Sequence, residues 1–171
     1  AISGRAITFS TAGWVPGIRR FLRDDLPYRL AFSLTSAIAE KRAQVLPVEK
    51  THPLPSLVEV IREYALTRKQ RAMLAYVVIA GFNTGLEDAE ALAKTFDGIP
   101  IKIDLIDVSD PTGKYLPPDA DELKRFRDHL QILKAPIARR YSGGKDIAAA
   151  CGMLEASQAG GVLMPTPASA A

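Results

Sequence analysis

The most reactive side chain in this sequence is a single thiol, Cys151. A cysteine thiolate is both a strong nucleophile and a metal ligand. One cysteine allows no internal disulfide and no thiolate-rich metal site supplied by this chain alone. The two histidines, His52 and His129, lie far apart and show no ligand spacing, so we predict no zinc or iron–sulfur site built only by these 171 residues. From its alanine and glycine neighbours alone, Cys151 is typical of a small buried hydrophobic residue.

Polar side chains cluster at the ends of the predicted strands. Ser10, Ser33, Asn83 and Ser109 each end or follow an apolar segment. In parallel α/β folds, ligands bind beyond the carboxyl ends of the strands. Hydroxyls and an amide at that edge could hydrogen-bond a ribose, an adenine edge or a carboxylate. The same residue types also make ordinary βα turns, so the pattern leaves both interpretations open.

Two carboxylates, Asp104 and Asp107, lie in or near one predicted strand. Residues three apart on a strand point to opposite faces, so these two make a poor general acid–base pair. We predict structural or solvated roles for both. The sequence contains no G-x-G-x-x-G, P-loop, nucleophile-elbow or H-E-x-x-H motif that would indicate another chemistry.

Short apolar segments alternate with segments of helical periodicity along the chain. The predicted strands span residues 7–10, 30–34, 74–79, 99–105 and 137–141. Helical stripes follow four of them, and Thr84 with Glu87 has the spacing of a capping box. Segment 37–46 is ambiguous between helix and loop. This alternation indicates an α/β fold with a parallel sheet, either a small doubly wound sheet or part of a β/α barrel.

Composition limits the class of protein further. A hydrophobic share of 47% and a mean hydropathy of +0.03 exclude a disordered or fibrous chain. No apolar run is long enough for a membrane span, and the start does not have the pattern of a signal peptide. The net charge of +3 and the pI of about 9.1 permit a nucleic-acid partner without requiring one. Residues 158–171 are rich in Ala, Ser, Gly and Pro, which predicts a disordered tail.

Seven colinear segments resemble motifs of one enzyme family, the radical S-adenosylmethionine (SAM) adenine-C2 RNA methyltransferases of the RlmN/Cfr type. The family motifs are R-x-T-x-S-T-x-G-x-x-P-x-I, L-A-x-S-L-H, M-P-I, E-Y-V-L-L-x-G-V-N-D, a short E-D-A helix start, K-V-N-L-I-P and D-I-x-A-A-C-G. The matching segments, in the same order, are 7–19, 30–35, 46–48, 76–83, 87–93, 102–106 and 146–152. Together they extend over nearly the whole chain.

The resemblance implies a fold and a set of site residues. The fold would be a partial (βα) barrel of the radical SAM type, with about four barrel strands plus a C-terminal strand and a cysteine loop. Residues 1–157 would be the C-terminal part of a (βα)6-like barrel. The residues expected to contact SAM are Ser10, Ser33, Leu34, Thr35 and Ser109. Cys151 matches the family cysteine that becomes methylated.

The implied reaction explains why a thiol belongs in such a site. The thiolate takes a methyl group from one SAM molecule by nucleophilic displacement. A second SAM, cleaved by a reduced 4Fe-4S cluster, yields a radical that removes hydrogen from this methyl group. The carbon radical then adds to C2 of an adenine in 23S rRNA and/or tRNA. The resemblance thus implies a cytoplasmic enzyme with an RNA substrate, an electron donor for the cluster and no membrane partner.

Some family features are absent from this sequence. The cluster-binding C-x-x-x-C-x-x-C motif does not occur, which predicts that the cluster ligands lie outside this segment of a longer chain. Thr35 replaces the family histidine, Ala75 a glutamate and Ser109 an asparagine. These changes keep two alternatives open, a diverged radical enzyme and a non-catalytic α/β module that binds a nucleotide-like ligand or RNA.

The arginines that border the cysteine segment are the best candidates for RNA contacts. Basic residues also occur in several helical segments, where they are typical of solvated faces. Arg139 and Arg140 stand closest to the Cys151 segment among these groups. We therefore expect them to contact RNA phosphates.

Overall fold

The computed structural model describes residues 2–140 as a parallel five-stranded sheet with helices between the strands. The strands are β1 (Thr8–Thr11), β2 (Arg29–Ser33), β3 (Ala72–Val78), β4 (Ile101–Asp107) and β5 (Ile137–Arg140). The α-helices are α1 (Val15–Arg23), α2 (Ala39–Val45), α3 (Leu54–Arg68), α4 (Leu86–Thr95) and α5 (Ala120–His129). Single 3₁₀ turns span Gly4–Ala6, Pro47–Lys50 and Leu130–Leu133.

The order of the strands distinguishes the two α/β arrangements that the sequence allows. The sheet order is β1-β2-β3-β4-β5, and every neighbouring pair is parallel. A doubly wound sheet reverses direction at a switch point, whereas a β/α barrel adds its strands in chain order. The described part of the chain therefore has the partial-barrel arrangement.

One face of the sheet packs on the helices and holds the main core. The residues on this helix-covered face include Phe32, Leu74, Ile103 and Leu105, which are buried in one cluster with apolar residues of α1, α3, α4 and α5. Tyr64 of α3 stacks edge-to-face on Phe32, with ring centroids 5.3 Å apart. Its hydroxyl accepts a hydrogen bond from the backbone N–H of Leu30. The apolar stripe of α3 is thus joined to the start of β2 by both packing and a hydrogen bond.

The opposite face of the sheet carries small and polar side chains. The register aligns Ser10 with Ala31, and it aligns Ser33 with Ala75 and then Asp104 on the next strands. Side chains alternate between faces along a strand, so all five lie on the face away from the core cluster. We call this surface, formed by the residues in register with Ser10 and Ser33, the inner face.

The structure shifts or corrects several local predictions. Each predicted strand is present, with bounds displaced by up to two residues. The ambiguous segment 37–46 contains helix α2. The capping box predicted at Thr84 and Glu87 is wrong, because α4 begins one residue later. Gly85 is its N-cap, and the Asp88 carboxylate accepts a hydrogen bond from the Gly85 N–H at 3.1 Å. The Thr84 hydroxyl instead donates to Glu122 of α5.

Two predictions lie outside the described residues. These are the position of Cys151 and the tail at 158–171. Among residues 2–140, no helix is both long and apolar enough to cross a membrane.

Candidate functional site

Two of the predicted contact residues share the inner face. Ser10 is exposed near the end of β1, and Ser33 is half-buried as the last residue of β2. From the spacing of strands and the rise per residue, their Cα atoms are about 8 Å apart. Ala31 and Ala75 lie beside them in the register, with Met73 next to Ala31 on the same face. The arrangement offers hydroxyl groups over a shallow surface with small side chains.

Leu34 and Thr35 follow Ser33 but contribute differently. The Leu34 side chain is fully buried in the core, and its backbone N–H donates to the Ala75 carbonyl at 3.0 Å. The Leu34 carbonyl accepts from the Ser36 N–H at 2.7 Å, and its second lone pair is the acceptor that a ligand could use. Thr35 is buried and has a φ of +59°. A β-branched residue in the left-handed region is strained and needs surrounding contacts to hold it.

Asn83 supplies those contacts, and it is the residue of the site that the sequence prediction undervalued. Its fully buried amide donates to the Thr35 carbonyl at 2.6 Å and to the Val77 carbonyl at 2.8 Å. Its side-chain oxygen accepts from the Ile79 N–H at 2.8 Å. Asn83 thus joins the loop after β3 to the loop after β2. The sequence shows that Asn83 is a polar residue following a buried strand, but no local pattern indicates that it bonds to Thr35, 48 residues away.

The backbone of Asn83 is held as well. Its carbonyl accepts a hydrogen bond from the Tyr76 hydroxyl at 2.7 Å. Burial, and then the charge of Asp88, raise the pKa of Tyr76 well above its usual value. The phenol therefore stays protonated and keeps this bond through the neutral range. On the far side of the same loop, Glu122 of α5 accepts from the Gly81 N–H at 2.7 Å.

A buried ion pair supports the loop after β1. Arg42 of α2 is fully buried and contacts the Glu49 carboxylate at 2.5 Å. Its second nitrogen donates to the Ala12 carbonyl at 2.8 Å. Gly13 follows with a φ of +115°, and a Cβ there would lie 3.3 Å from the Arg42 guanidinium. The guanidinium therefore positions the turn directly after Ser10.

Lys41 connects α2 with the start of α4. Its ammonium contacts Glu87 at 2.6 Å and Asp88 at 2.9 Å. Burial acts to lower the pKa of Lys41, but the hydrogen bonds and charges of both carboxylates outweigh it and raise that pKa above 10.5. Burial also raises the pKa of Asp88, against the hydrogen bonds from Lys41 and the Gly85 N–H. This pair joins two helices that flank the candidate site.

The raised pKa of Lys41 predicts how stability depends on pH. Because the folded pKa is above the unfolded value, the contribution of Lys41 is complete below pH 10.5 and is lost as pH rises through the folded pKa. Lys41→Met should lower the free energy of unfolding by about 1–3 kcal/mol at neutral pH. The difference from the unsubstituted chain should narrow above pH 10.5 in urea unfolding.

Lys124→Met provides the matched control for this measurement. Lys124 forms an exposed ion pair with Asp128 at 3.2 Å, so its replacement should change stability little. A Lys41→Met difference that stays constant across this pH range would contradict the predicted linkage.

Ser109 lies in the loop after β4, where it is partly exposed. The next residue, Asp110, orders this loop by accepting hydrogen bonds from the Thr112 N–H and hydroxyl and from the Tyr115 N–H. The bonds from Thr112, followed by that from Tyr115, lower the pKa of Asp110. The structure thus places Ser109 at the carboxyl edge of the sheet, as predicted. Within residues 2–140, no hydrogen bond joins Ser109 to Ser10 or Ser33.

The side chains of Arg139 and Arg140, the last two residues of β5, lie on opposite faces of the sheet. Arg139 contacts Asp107 at 2.7 Å, and Arg140 contacts Asp104 at 3.7 Å. The two aspartates therefore lie on opposite faces, as the strand period predicts, and each is paired with an arginine. Both arginine side chains are about half exposed. Contact of either arginine with RNA stays a prediction.

The residues of the inner face offer hydrogen-bonding groups rather than a set of metal ligands. Hydroxyls of Ser10 and Ser33 and backbone carbonyls can hydrogen-bond a ribose or an amino group. Among residues 2–140, no three His, Cys, Asp or Glu side chains come together as a metal site. The whole sequence has one cysteine, so its residues do not fit the ligand set of a 4Fe-4S cluster.

Comparison with known proteins shows which proteins this chain is similar to in sequence and fold. The chain is 70% identical over 170 residues to a probable RNA methyltransferase of Myxococcus xanthus. It is 36% identical over 154 residues to the dual-specificity RNA methyltransferase RlmN of Nautilia profundicola. Its fold matches a radical SAM methyltransferase of Sphaerobacter thermophilus with a TM-score of 0.83, 33% identity and coverage of 89% of this chain. This chain is a homologue of RlmN-type radical SAM RNA methyltransferases.

The homology covers nearly all of this chain but only part of its relatives. The matches cover 99% and 90% of this chain, and 48% and 44% of the two methyltransferases. The chain thus spans about half the length of the curated relatives it matches, and 45% of the Sphaerobacter structure. A domain of a pyruvate-formate lyase-activating enzyme from Bacteroides vulgatus shares the fold alone, with a TM-score of 0.58 and 14% identity. No family model matches the chain.

Proposed function

We propose that this chain is the SAM-binding and methyl-accepting part of an RNA methyltransferase that modifies C2 of adenine in 23S rRNA and/or tRNA. The observation that carries the proposal is the RlmN-type homology together with two serine hydroxyls on the inner face of a partial barrel. The proposal includes a cytoplasmic location, where these RNA substrates occur, and an electron donor for the cluster.

The candidate binding residues come from the family resemblance, and their position at the carboxyl edge supports this assignment. Ser10 and Ser33 would hydrogen-bond polar groups of SAM, and Ser109 would do so from the next part of the edge. Leu34 would contribute its carbonyl, since its side chain is in the core. Thr35 would present its backbone in the strained conformation that Asn83 holds. These loops are fixed by buried polar side chains, so little ordering entropy is lost on binding.

Cys151 would accept the methyl group. Its thiol loses a proton, the thiolate attacks the methyl carbon of SAM, a new S–C bond forms and the sulfonium S–C bond breaks. S-adenosylhomocysteine leaves with the electron pair of the broken bond, so the charges balance. Because the residues of this chain do not fit a 4Fe-4S cluster, the ligands for that cluster would lie outside these 171 residues.

RNA would approach the basic end of β5 in this proposal. Arg139 and Arg140 are half exposed, and each is anchored by an aspartate of β4. Replacing both with alanine should weaken RNA binding and reduce the slope of its salt dependence. The control removes two exposed lysines elsewhere, Lys50 and Lys94. An equal slope in the two double variants would reject the role of the arginines.

Mass spectrometry of the cluster-loaded holoenzyme tests the proposed function. Trypsin cleaves after Lys145, so Cys151 lies in the peptide that begins at Asp146, and it is the single cysteine among residues 146–171. After incubation with SAM carrying a deuterated methyl group, this peptide should gain one labelled methyl on Cys151. Cys151→Ala should abolish the gain, and a peptide that stays unlabelled in the unsubstituted holoenzyme would overturn the proposal. SAM binding without labelling would favour the alternative, a diverged or non-catalytic binding module.

A further inference from the structure

Trp14 is the single tryptophan of the sequence and is 62% exposed. It is the residue directly before α1, and it follows the turn at Gly13 that Arg42 holds. Tryptophan is rarely left exposed without a partner, because its large apolar surface is costly in water. An exposed indole beside a candidate binding site therefore points to a ligand with an aromatic or apolar face.

The indole ring is held in one orientation by a glycine. A Cβ built on Gly17 would lie 2.3 Å from Cε3 and 2.7 Å from Cζ3 of Trp14, so the six-membered ring lies directly against the Gly17 backbone. Glycine inside a helix costs about 1 kcal/mol relative to alanine. In α1, the missing side chain makes room for the ring. The platform is thus formed before any ligand arrives.

The surroundings of Trp14 are basic and close to the candidate site. Helix α1 contains the exposed Arg19, Arg20 and Arg23, and Arg20 pairs at 3.4 Å with Asp24, which directly follows the helix. Arg19 and Arg23 lie about 8 and 14 Å along the helix axis from Trp14. Trp14 is four positions after Ser10, so their Cα atoms are at most about 14 Å apart. An aromatic ring next to arginines is the combination that binds single-stranded nucleic acid, by base stacking and by phosphate contacts.

We infer that Trp14 is a stacking platform for an unpaired RNA base, with Arg19 and Arg23 contacting the flanking phosphates. The inference rests on the proposed function for its RNA ligand, and it adds a binding residue and a mode of recognition. Sequence-specific recognition of RNA usually targets unstacked bases in loops, which an exposed indole can receive. The ring would hold RNA beside the carboxyl edge of the sheet.

Fluorescence provides a direct test, because Trp14 is the single tryptophan of these 171 residues and the difference in emission between the holoenzyme and its Trp14→Phe variant isolates its signal. Titration of the holoenzyme with single-stranded oligoadenylate RNA should quench this difference emission as a base stacks on the indole. Trp14→Ala should weaken the affinity roughly 5- to 150-fold, measured with labelled RNA, and Trp14→Phe should recover part of the loss. Arg19→Ala with Arg23→Ala should lower the slope of the salt dependence and leave the quenching in place.

Gly17→Ala separates positioning from folding. Alanine favours the helix, so α1 should not be weakened, but its Cβ displaces the ring and should reduce both affinity and quenching. Leu66→Ala is the matched control, since Leu66 is also 62% exposed and lies on α3. We expect this variant to bind RNA as the unsubstituted chain does.

The outcomes separate this inference from the proposed function. The stacking role would be overturned if RNA left the emission unchanged or bound the Trp14→Ala variant with equal affinity. The same results are expected if another protein segment covers the indole. Labelling of Cys151 would then still support the methyltransferase. Conversely, quenching by RNA with an unlabelled Cys151 would support the platform and overturn the proposed methyl acceptor.

Discussion

Replacing Arg42 with alanine should lower the free energy of unfolding by about 3–5 kcal/mol. The substitution leaves the Glu49 carboxylate, only 8% exposed, without its cation and removes the donor to the Ala12 carbonyl. Breaking a buried pair from one side is costly because the remaining charge stays away from water. Burial lowers the pKa of Arg42, while the charge and hydrogen bond of Glu49 act to raise it. Urea unfolding of the two proteins measures the difference.

Two further variants show whether the isolated charge is the cause. The double variant Arg42→Met with Glu49→Leu removes both charges and should regain most of the lost stability. Part of the loss should stay, because Glu49 also accepts a hydrogen bond from the Leu54 N–H at 2.9 Å. Lys124→Ala, which removes one partner of an exposed pair, should cost less than about 1 kcal/mol. A double variant as unstable as Arg42→Ala would show that the charge is not the reason.

Asn83→Asp should destabilise the chain by about 3 kcal/mol or more at neutral pH, although the two side chains have nearly the same shape. The carboxylate keeps an acceptor for the Ile79 N–H but loses both donors. It then faces the Thr35 and Val77 carbonyls, which have accepted from the amide at 2.6 and 2.8 Å. Thermal or urea unfolding gives the stability change, and SAM affinity of the holoenzyme gives the effect on the Thr35 loop.

The control for Asn83 is an equivalent change of amide to carboxylate on the surface. Gln131 is exposed and donates to the Arg127 carbonyl at 3.2 Å, so Gln131→Glu removes one donor and adds one charge in water. We expect a change within about 0.5 kcal/mol. If Asn83→Asp costs no more than Gln131→Glu, the amide does not hold the two loops together.

The order and type of the elements could be predicted because they depend on local patterns. Buried strands appear as continuous apolar runs, and Pro16 near the start of α1 marks a helix N-terminus. The opposite orientations of Asp104 and Asp107 follow from the two-residue period of a strand. Ser10, Ser33 and Ser109 could be assigned to the carboxyl edge because each ends or follows a predicted strand.

The contacts that hold the site could not be predicted from local patterns. Asn83 bonds to Thr35 across 48 residues, and Arg42 bonds to Ala12 across 30. The capping box predicted at Thr84 is absent, and the Thr84 hydroxyl instead donates a hydrogen bond to Glu122, 38 residues away. Each of these bonds depends on which loops become neighbours, and the helical or strand period of a segment carries no information about that.

By itself, the sequence determined the alternation of strands and helices, the residues at the strand ends and, through its motifs, a resemblance to RlmN-type enzymes, which are among the homologues of the chain. The tertiary structure decided between a doubly wound sheet and a partial barrel, since strand order is a property of pairing between distant segments. It also placed Ser10 and Ser33 on one face and showed that Asn83 and Arg42 fix the loops beside them. The physical reason is that local periodicity sets which side of an element is buried, whereas packing sets which elements meet.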